Sequence, residues 1–253
     1  MAVVLITGAT RGIGFGCAKV CLARGWDVAV AGSGTERAVR AAEALADGGD
    51  GGRVMGLALP VQSRSAWGPG LDRIEAELGP IDALIANAGI SPRRNGRKAP
   101  FAVEGDEEEW ARTFAVNVDG AVEGCRQVAR RMIARRAKGA LLVTSSIAGQ
   151  VGIPFVSSYY AASKSALLGF VRAAAYDLGE HGIRINAIAP GRIESDMVRE
   201  SGAAVNEAVA AETALRRLGT PEELGEAAEF LISGRASFVS GACLNVTGGW
   251  VEV

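Results

Sequence analysis

Tyr160 and Lys164 are four residues apart, the spacing that stacks two side chains on one face of a helix. That pair could move a proton. When a hydride adds to a carbonyl, the resulting alkoxide needs a proton, and a phenol can deliver it. A free phenol titrates near 10, too high for efficient transfer at neutral pH. A neighbouring ammonium favours the phenolate; lowering the pKa by ~3 units corresponds to about 4 kcal/mol of differential interaction. Tyr159 has no lysine four residues on, so Tyr160 is the expected proton donor. Upstream, Val143-Thr144-Ser145-Ser146-Ile147 places two hydroxyls where an apolar run ends, the end of a parallel strand that faces ligands. Ser146 and Ser145 are both placed to supply a substrate-facing hydroxyl.

A second group suits phosphate. Thr7-Gly8-Ala9-Thr10-Arg11-Gly12-Ile13-Gly14 ends the first apolar run and opens a helical pattern. Gly8 permits a sharp exit from the strand, Gly12 a close backbone approach to phosphate, and Gly14 tight helix–strand packing. The helix start then offers unpaired N–H groups and its positive dipole end to a pyrophosphate. The second apolar run, Val28-Ala29-Val30-Ala31-Gly32-Ser33-Gly34, has no carboxylate at its end to accept a ribose 2′-hydroxyl; the nearest is Glu36. Arg11 is a planar donor suited to a 2′-phosphate, Ser33 adds a hydroxyl, and Arg37 is a weaker candidate. This pattern favours NADP(H) over NAD(H).

Other chemistries lose their residues. The chain holds one histidine, His181, in a segment that reads as a helix end. Two-histidine metal sites are therefore excluded, and no metal is expected. Cys17, Cys21, Cys125 and Cys243 form no C-x-x-C pair and are expected as buried thiols of a reducing compartment. With 27 Lys and Arg against 28 Asp and Glu, the net charge of −1 gives no footprint for nucleic acid. No apolar run approaches the ~20 residues that span a bilayer. Met1–Thr7 lacks the basic start of a signal peptide, so a cytoplasmic chain is expected.

The elements that must position these residues alternate along 253 residues, 49% of them hydrophobic and 22% charged. Apolar runs at 2–7, 28–31, 54–59, 83–86, 140–144, 183–189 and 242–246 read as strands buried on both faces. Helical periodicity marks 14–23, 36–46, 110–134 and 163–178. Such alternation predicts an α/β fold: one doubly wound Rossmann-type domain over residues 1–253, with a mainly parallel seven-stranded sheet flanked by helices. Leu218–Glu223 reads as a helix start, with Thr220 as cap and Pro221 first in the helix. Two long connections, 91–105 and 190–220, follow strand ends. The first carries Arg93, Arg94, Arg97 and Lys98, most simply a solvated loop, before an acidic helix start at Glu107–Glu109. The second includes an Ala-rich stretch expected to form a substrate lid over roughly 193–215.

The spacing T-G-x-x-x-G-x-G, then Asn87-Ala88-Gly89, Asn117, Ser146, Tyr160-Ala161-Ala162-Ser163-Lys164, Pro190 to Met197 and Gly241 to Gly249 together resemble the short-chain dehydrogenase/reductase family across essentially the whole chain. The resemblance implies NADPH-linked carbonyl reduction or the reverse alcohol oxidation, with Ser146, Tyr160, Lys164 and Asn117 catalytic. Ser146 polarises the carbonyl, Tyr160 donates the proton, and Lys164 tunes the tyrosine and holds the ribose. Asn117 relays water. It also implies cofactor contacts from Gly8, Thr10, Arg11, Gly12, Ile13, Gly14, Ser33, Val61, Asn87, Ala88, Gly89, Pro190, Gly191, Ile193 and Ser195, besides Tyr160 and Lys164. The family's Asp-Val after the third strand is Pro60-Val61 here, which removes the acidic adenine partner and leaves Val61 only its backbone groups. The expected substrate is a small-molecule carbonyl or alcohol, of the 3-oxoacyl kind within 3-oxoacyl-acyl-carrier-protein-reductase-like members. A sugar or polyol dehydrogenase and a cofactor-binding sensor without turnover are the alternatives. By analogy with relatives, a homo-oligomer, tetramer or dimer, is expected.

Overall fold

Runs of Val, Ile, Leu and Ala without polar alternation belong in strands covered on both faces, and the computed structural model of the chain places them there. It describes residues 1–47, 51–94, 97–98, 107–153, 156–199 and 202–250. In chain order the elements begin β1 (Val3–Thr7), α1 (Gly12–Ala23), β2 (Asp27–Gly32), α2 (Thr35–Ala46), β3 (Val54–Ala58), α3 (Arg64–Glu77) and β4 (Ile81–Ala86). A two-residue ladder, β5 (Arg93–Arg94) with β6 (Arg97–Lys98), leads to α4 (Glu107–Phe114). A π turn at Ala115–Asp119 joins α4 to α5 (Gly120–Ala134). Then come β7 (Gly139–Thr144), α6 (Ser158–Gly179), β8 (Ile183–Pro190), α7 (Asp196–Arg199), α8 (Ala203–Glu212), α9 (Pro221–Ile232) and β9 (Cys243–Val246).

Seven strands form one sheet in the order β3-β2-β1-β4-β7-β8-β9, every pairing parallel. Alternate residues feed opposite faces. Val3 and Leu5 join a core with Trp67, Leu71, Val128, Met132 and Leu167 from α3, α5 and α6. Val4 and Ile6 join the other core with Cys17, Cys21, Leu45, Leu224 and Leu231 from α1, α2 and α9. The chain reverses its winding between β1 and β4, and the crevice above their carboxyl ends is where such sheets take ligands.

All seven expected strands are present, with ends shifted by one or two residues. Helix α3 has no counterpart in the periodicity, because Gly68-Pro69-Gly70 interrupts it. Yet Pro69 sits inside the helix, and Trp67 beside it is fully buried. The segment at 110–134 is divided by the π turn. Thr220 caps α9 reciprocally, its Oγ1 accepting from Glu223 N (3.2 Å) while Glu223 Oε2 accepts from Thr220 N (2.9 Å). Three cysteines are buried as expected. Cys243 departs from that expectation: it lies exposed on β9, which among the described residues is the last strand of the sheet. The 91–105 connection lies largely outside the described residues, and nothing is described of the side chains of Arg93, Arg94, Arg97 and Lys98.

Candidate active site

The glycine turn is built by close approach. Gly8 has φ +64, and a Cβ there would come within 2.8 Å of the Ala88 Cα; a Cβ on Gly14 would lie 2.4 Å from the Gly8 carbonyl oxygen. Thr7 and Asn87 tie this turn to the end of β4. Thr7 Oγ1 accepts from the backbone N of Asn87 and of Ala88, each at 3.1 Å. Asn87 Nδ2 donates to the carbonyls of Thr7 and Gly8, each at 3.2 Å. Asn87 thus braces the turn, and Thr7 emerges as a second brace that only its place in the motif hinted at. Arg11 precedes α1 in extended conformation with no side-chain cap, and the first residues of α1, Gly12 to Gly14, line the crevice.

A cleft of about 520 Å³ runs from this turn to the ends of β4, β7 and β8. Gly8, Thr10, Arg11, Gly12, Ile13, Gly14, Ser33 and Val61 line one end. Asn87, Ala88, Gly89, Ser146, Tyr160, Lys164, Pro190, Gly191, Ile193 and Ser195 line the rest. Arg37, Pro60, Gln62, Ile90, Arg112, Val116, Asp196 and Val198 also line it. Of these, Ile90 and Val116 sit beside motif residues; no local pattern marks Gln62 or Arg112. Val61 offers less than its backbone promises, since its carbonyl already accepts from Trp67 Nε1 at 3.0 Å. Among the described residues, no group of His, Cys, Asp or Glu is placed to hold a metal ion.

Tyr160 and Lys164 share one face of α6, with Lys164 Nζ 5.6 Å from the centre of the Tyr160 ring. Nζ donates to the Thr144 carbonyl at 2.7 Å, and burial pulls the lysine down to about 8. Burial also raises the Tyr160 phenol above its ordinary value, and the Ser146 hydroxyl bonded to it partly opposes that rise. The net direction for the phenol is upward, where spacing alone anticipates a fall, because desolvation outweighs what opposes it. The two serines diverge. Ser145 Oγ is spent on the Lys164 carbonyl at 2.9 Å, whereas Ser146 Oγ accepts from Ala148 N at 3.2 Å and meets the tyrosine. Tyr159 turns away and packs edge-on against Trp110, 5.2 Å between ring centres.

Asn117 differs from the other candidates in standing behind the cleft wall. It is fully buried in the π turn. Its Oδ1 accepts from Ile90 N (2.8 Å), and its Nδ2 donates to the Ile90 carbonyl (2.9 Å) and to Ser163 Oγ (3.0 Å). Both amide donors are used, so its side chain has none left for a water chain. The region expected as a lid is two short helices, α7 and α8, held by Arg192. This guanidinium, buried near the end of β8, donates to Asn206 Oδ1 through Nε (2.8 Å) and Nη2 (2.6 Å).

A family profile described as "Enoyl-(Acyl carrier protein) reductase" matches residues 8–251. The chain is 38% identical over 251 residues to the cis-4-hydroxycyclohexanecarboxylate dehydrogenase of Sinomonas cyclohexanicum, covering 99% of this chain and 97% of that protein. It is 35% identical over 245 residues to a 3-oxoacyl-(acyl-carrier-protein) reductase of Chlamydia muridarum, covering 97% and 95%. A crystal structure of a 3-oxoacyl-(acyl-carrier protein) reductase from Brucella melitensis with bound NAD superposes with a TM-score of 0.90 at 35% identity. That match covers 99% of this chain and 92% of the other.

Proposed function

The chain belongs to the short-chain dehydrogenase/reductase family, an oxidoreductase family that uses a nicotinamide cofactor, and from that premise we propose that it reduces a 3-oxoacyl-type ketone with NADPH. The observation that carries this reading is the shared cleft: Ser146, Tyr160 and Lys164 open into the same space as the glycine turn and the α1 start. The residues present fit a dinucleotide. Gly8 and Gly14 leave no room for side chains, the α1 N–H groups suit a pyrophosphate, and Arg11 with Ser33 and Arg37 suit a 2′-phosphate. NADP(H) is favoured on that ground, although one similar solved structure carries NAD.

When bound, the nicotinamide supplies or accepts the hydride. The protein's share follows from its own groups. Ser146 and Tyr160 hold the carbonyl oxygen between two hydroxyls and stabilise the charge that develops there. Tyr160 gives its proton to that oxygen; in the oxidative direction its phenolate takes one. Lys164 binds the ribose hydroxyls and, as a cation beside the ring, favours the phenolate. Asn117 supports proton resupply from solvent at the π turn. Asn117 acts there by fixing the turn against Ile90 and Ser163. Helices α7 and α8 close over the substrate.

The protein is further proposed to be a cytoplasmic homo-oligomer, a tetramer or dimer. Fully exposed Phe238 and the exposed Leu244 of β9 support association, and among the described residues no helix is long and apolar enough to cross a membrane. The activity is tested by steady-state kinetics with NADPH and NADH on a 3-oxoacyl thioester, a hydroxycyclohexanecarboxylate, and sugar and polyol substrates. A higher kcat/KM with NADPH on the thioester is expected. A preference for NADH, or turnover confined to the ring acid or polyols, overturns the reading; light scattering reads the assembly.

A further inference from the structure

Arg11 reaches across the mouth of the cleft to the segment after β8. Its Nη1 lies 3.3 Å from Oδ2 of Asp196, the first residue of α7. The other oxygen of that carboxylate pairs with Nη2 of Arg199. The two segments also touch beside this bridge, where a Cβ on Gly12 would stand 3.4 Å from the Cβ of Ser195. Arg11 and Asp196 both line the cleft, with side chains 70% and 40% exposed. The cation best suited to a phosphate at this end is therefore already engaged by a carboxylate.

A carboxylate and a phosphate ask the same thing of a guanidinium, so they compete for it. We propose that Asp196 is a cofactor-selectivity residue: its carboxylate competes with a 2′-phosphate for Arg11, and the phosphate's arrival releases α7 from the glycine turn. The inference rests on Arg11 being the phosphate's partner. Arg199 keeps the competitor charged. Its hydrogen bond first, then the charges of Arg199 and Arg11, hold the Asp196 carboxyl below the ordinary carboxylate range. By reciprocity, a ligand that breaks the bridge loosens the segment, and a loosened segment binds that ligand better.

Exposed ion pairs are weak, so removing the competitor should tighten binding by about two- to fivefold. The test is calorimetric titration of the full-length chain with adenosine 2′,5′-bisphosphate and with adenosine 5′-monophosphate, which differ only in the 2′-phosphate. Asp196→Asn, a conservative change at an exposed helix start, is expected to tighten the bisphosphate by that factor and leave the monophosphate unchanged. The gain should shrink as salt is raised and vanish in an Arg11→Ala background. No change, or equal tightening of both ligands, overturns the inference. If Arg11→Ala leaves the bisphosphate's advantage over the monophosphate intact, Arg11 is not the partner and the inference falls with it. If Arg11→Ala abolishes that advantage while Asp196→Asn has no effect, only the competition is refuted.

Discussion

Nδ2 of Asn117 lies 3.0 Å from Oγ of Ser163, and that hydroxyl donates at 2.7 Å to the carbonyl of Tyr160. Two hydrogen bonds thus link a π turn between α4 and α5 to the helix residue proposed to move the proton. Ser163 is fully buried and adjacent to Lys164, so its hydroxyl sets how the turn and α6 sit against each other.

Ser163→Ala removes both of these hydrogen bonds and leaves one amide donor of Asn117 short of a buried partner. A loss of about 1 kcal/mol in positioning corresponds to roughly a fivefold fall in kcat with little change in NADPH affinity. Ser163→Thr should restore most of it. Stopped-flow turnover and a cofactor titration separate this from a general loss of folding, which would lower both.

Tyr160→Phe keeps the ring and removes the proton donor. Turnover should fall by about 10²–10⁴-fold, the usual worth of a positioned acid. NADPH should still bind, because the glycine turn and Lys164 keep their contacts. Retained turnover would reassign the donor.

Burial pulls the Lys164 ammonium down to about 8, so its charge is lost as pH rises through that value. NADPH binding, followed by fluorescence, should weaken across the same range, and in Lys164→Met the dependence should flatten. The buried Tyr160 stays protonated to higher pH, so carbonyl reduction should persist there while alcohol oxidation, which needs the phenolate, rises with pH.

Asp27 opens β2, buried, and accepts from Arg53 N at 2.6 Å and from the Arg53 guanidinium. Burial alone would raise its carboxyl, but the Arg53 hydrogen bonds and charge bring it below the ordinary value. A depressed carboxyl stabilises the fold above its unfolded value near 3.9 and loses that contribution as pH falls through the folded value. Asp27→Asn should therefore lower the unfolding free energy by about 1–3 kcal/mol at pH 7, and by less at pH 3, in urea titrations. An equal deficit at both pH values would show that charge plays no part.

The seven strands and their parallel sheet could be anticipated because every strand is a short apolar run, and such runs are buried between helices. Tyr160, Lys164 and the glycine turn were visible for a related reason. Their chemistry needs fixed local spacing, four residues on a helix or glycines at a strand exit, and local spacing is what a sequence records. Helix α3 was hidden, because Gly68-Pro69-Gly70 breaks a local rule that the buried Trp67 overrides through tertiary packing.

Relations between distant segments belong to the tertiary structure alone. Ser145 and Ser146 are neighbours of identical type; only the approach of the Lys164 carbonyl consumes one hydroxyl and leaves the other facing Tyr160. Spacing says that Lys164 neighbours Tyr160, but the net direction of the phenol's pKa depends on how deeply the fold buries both. Arg11 and Asp196 lie 185 residues apart, and no periodicity joins them. The sequence determined the strands, most of the helices and the local constellations they carry, since these follow from backbone and side-chain rules acting over a few residues. Folding decided the rest, because hydrogen bonding, desolvation and charge pairing act through space among groups that only the packed sheet brings together.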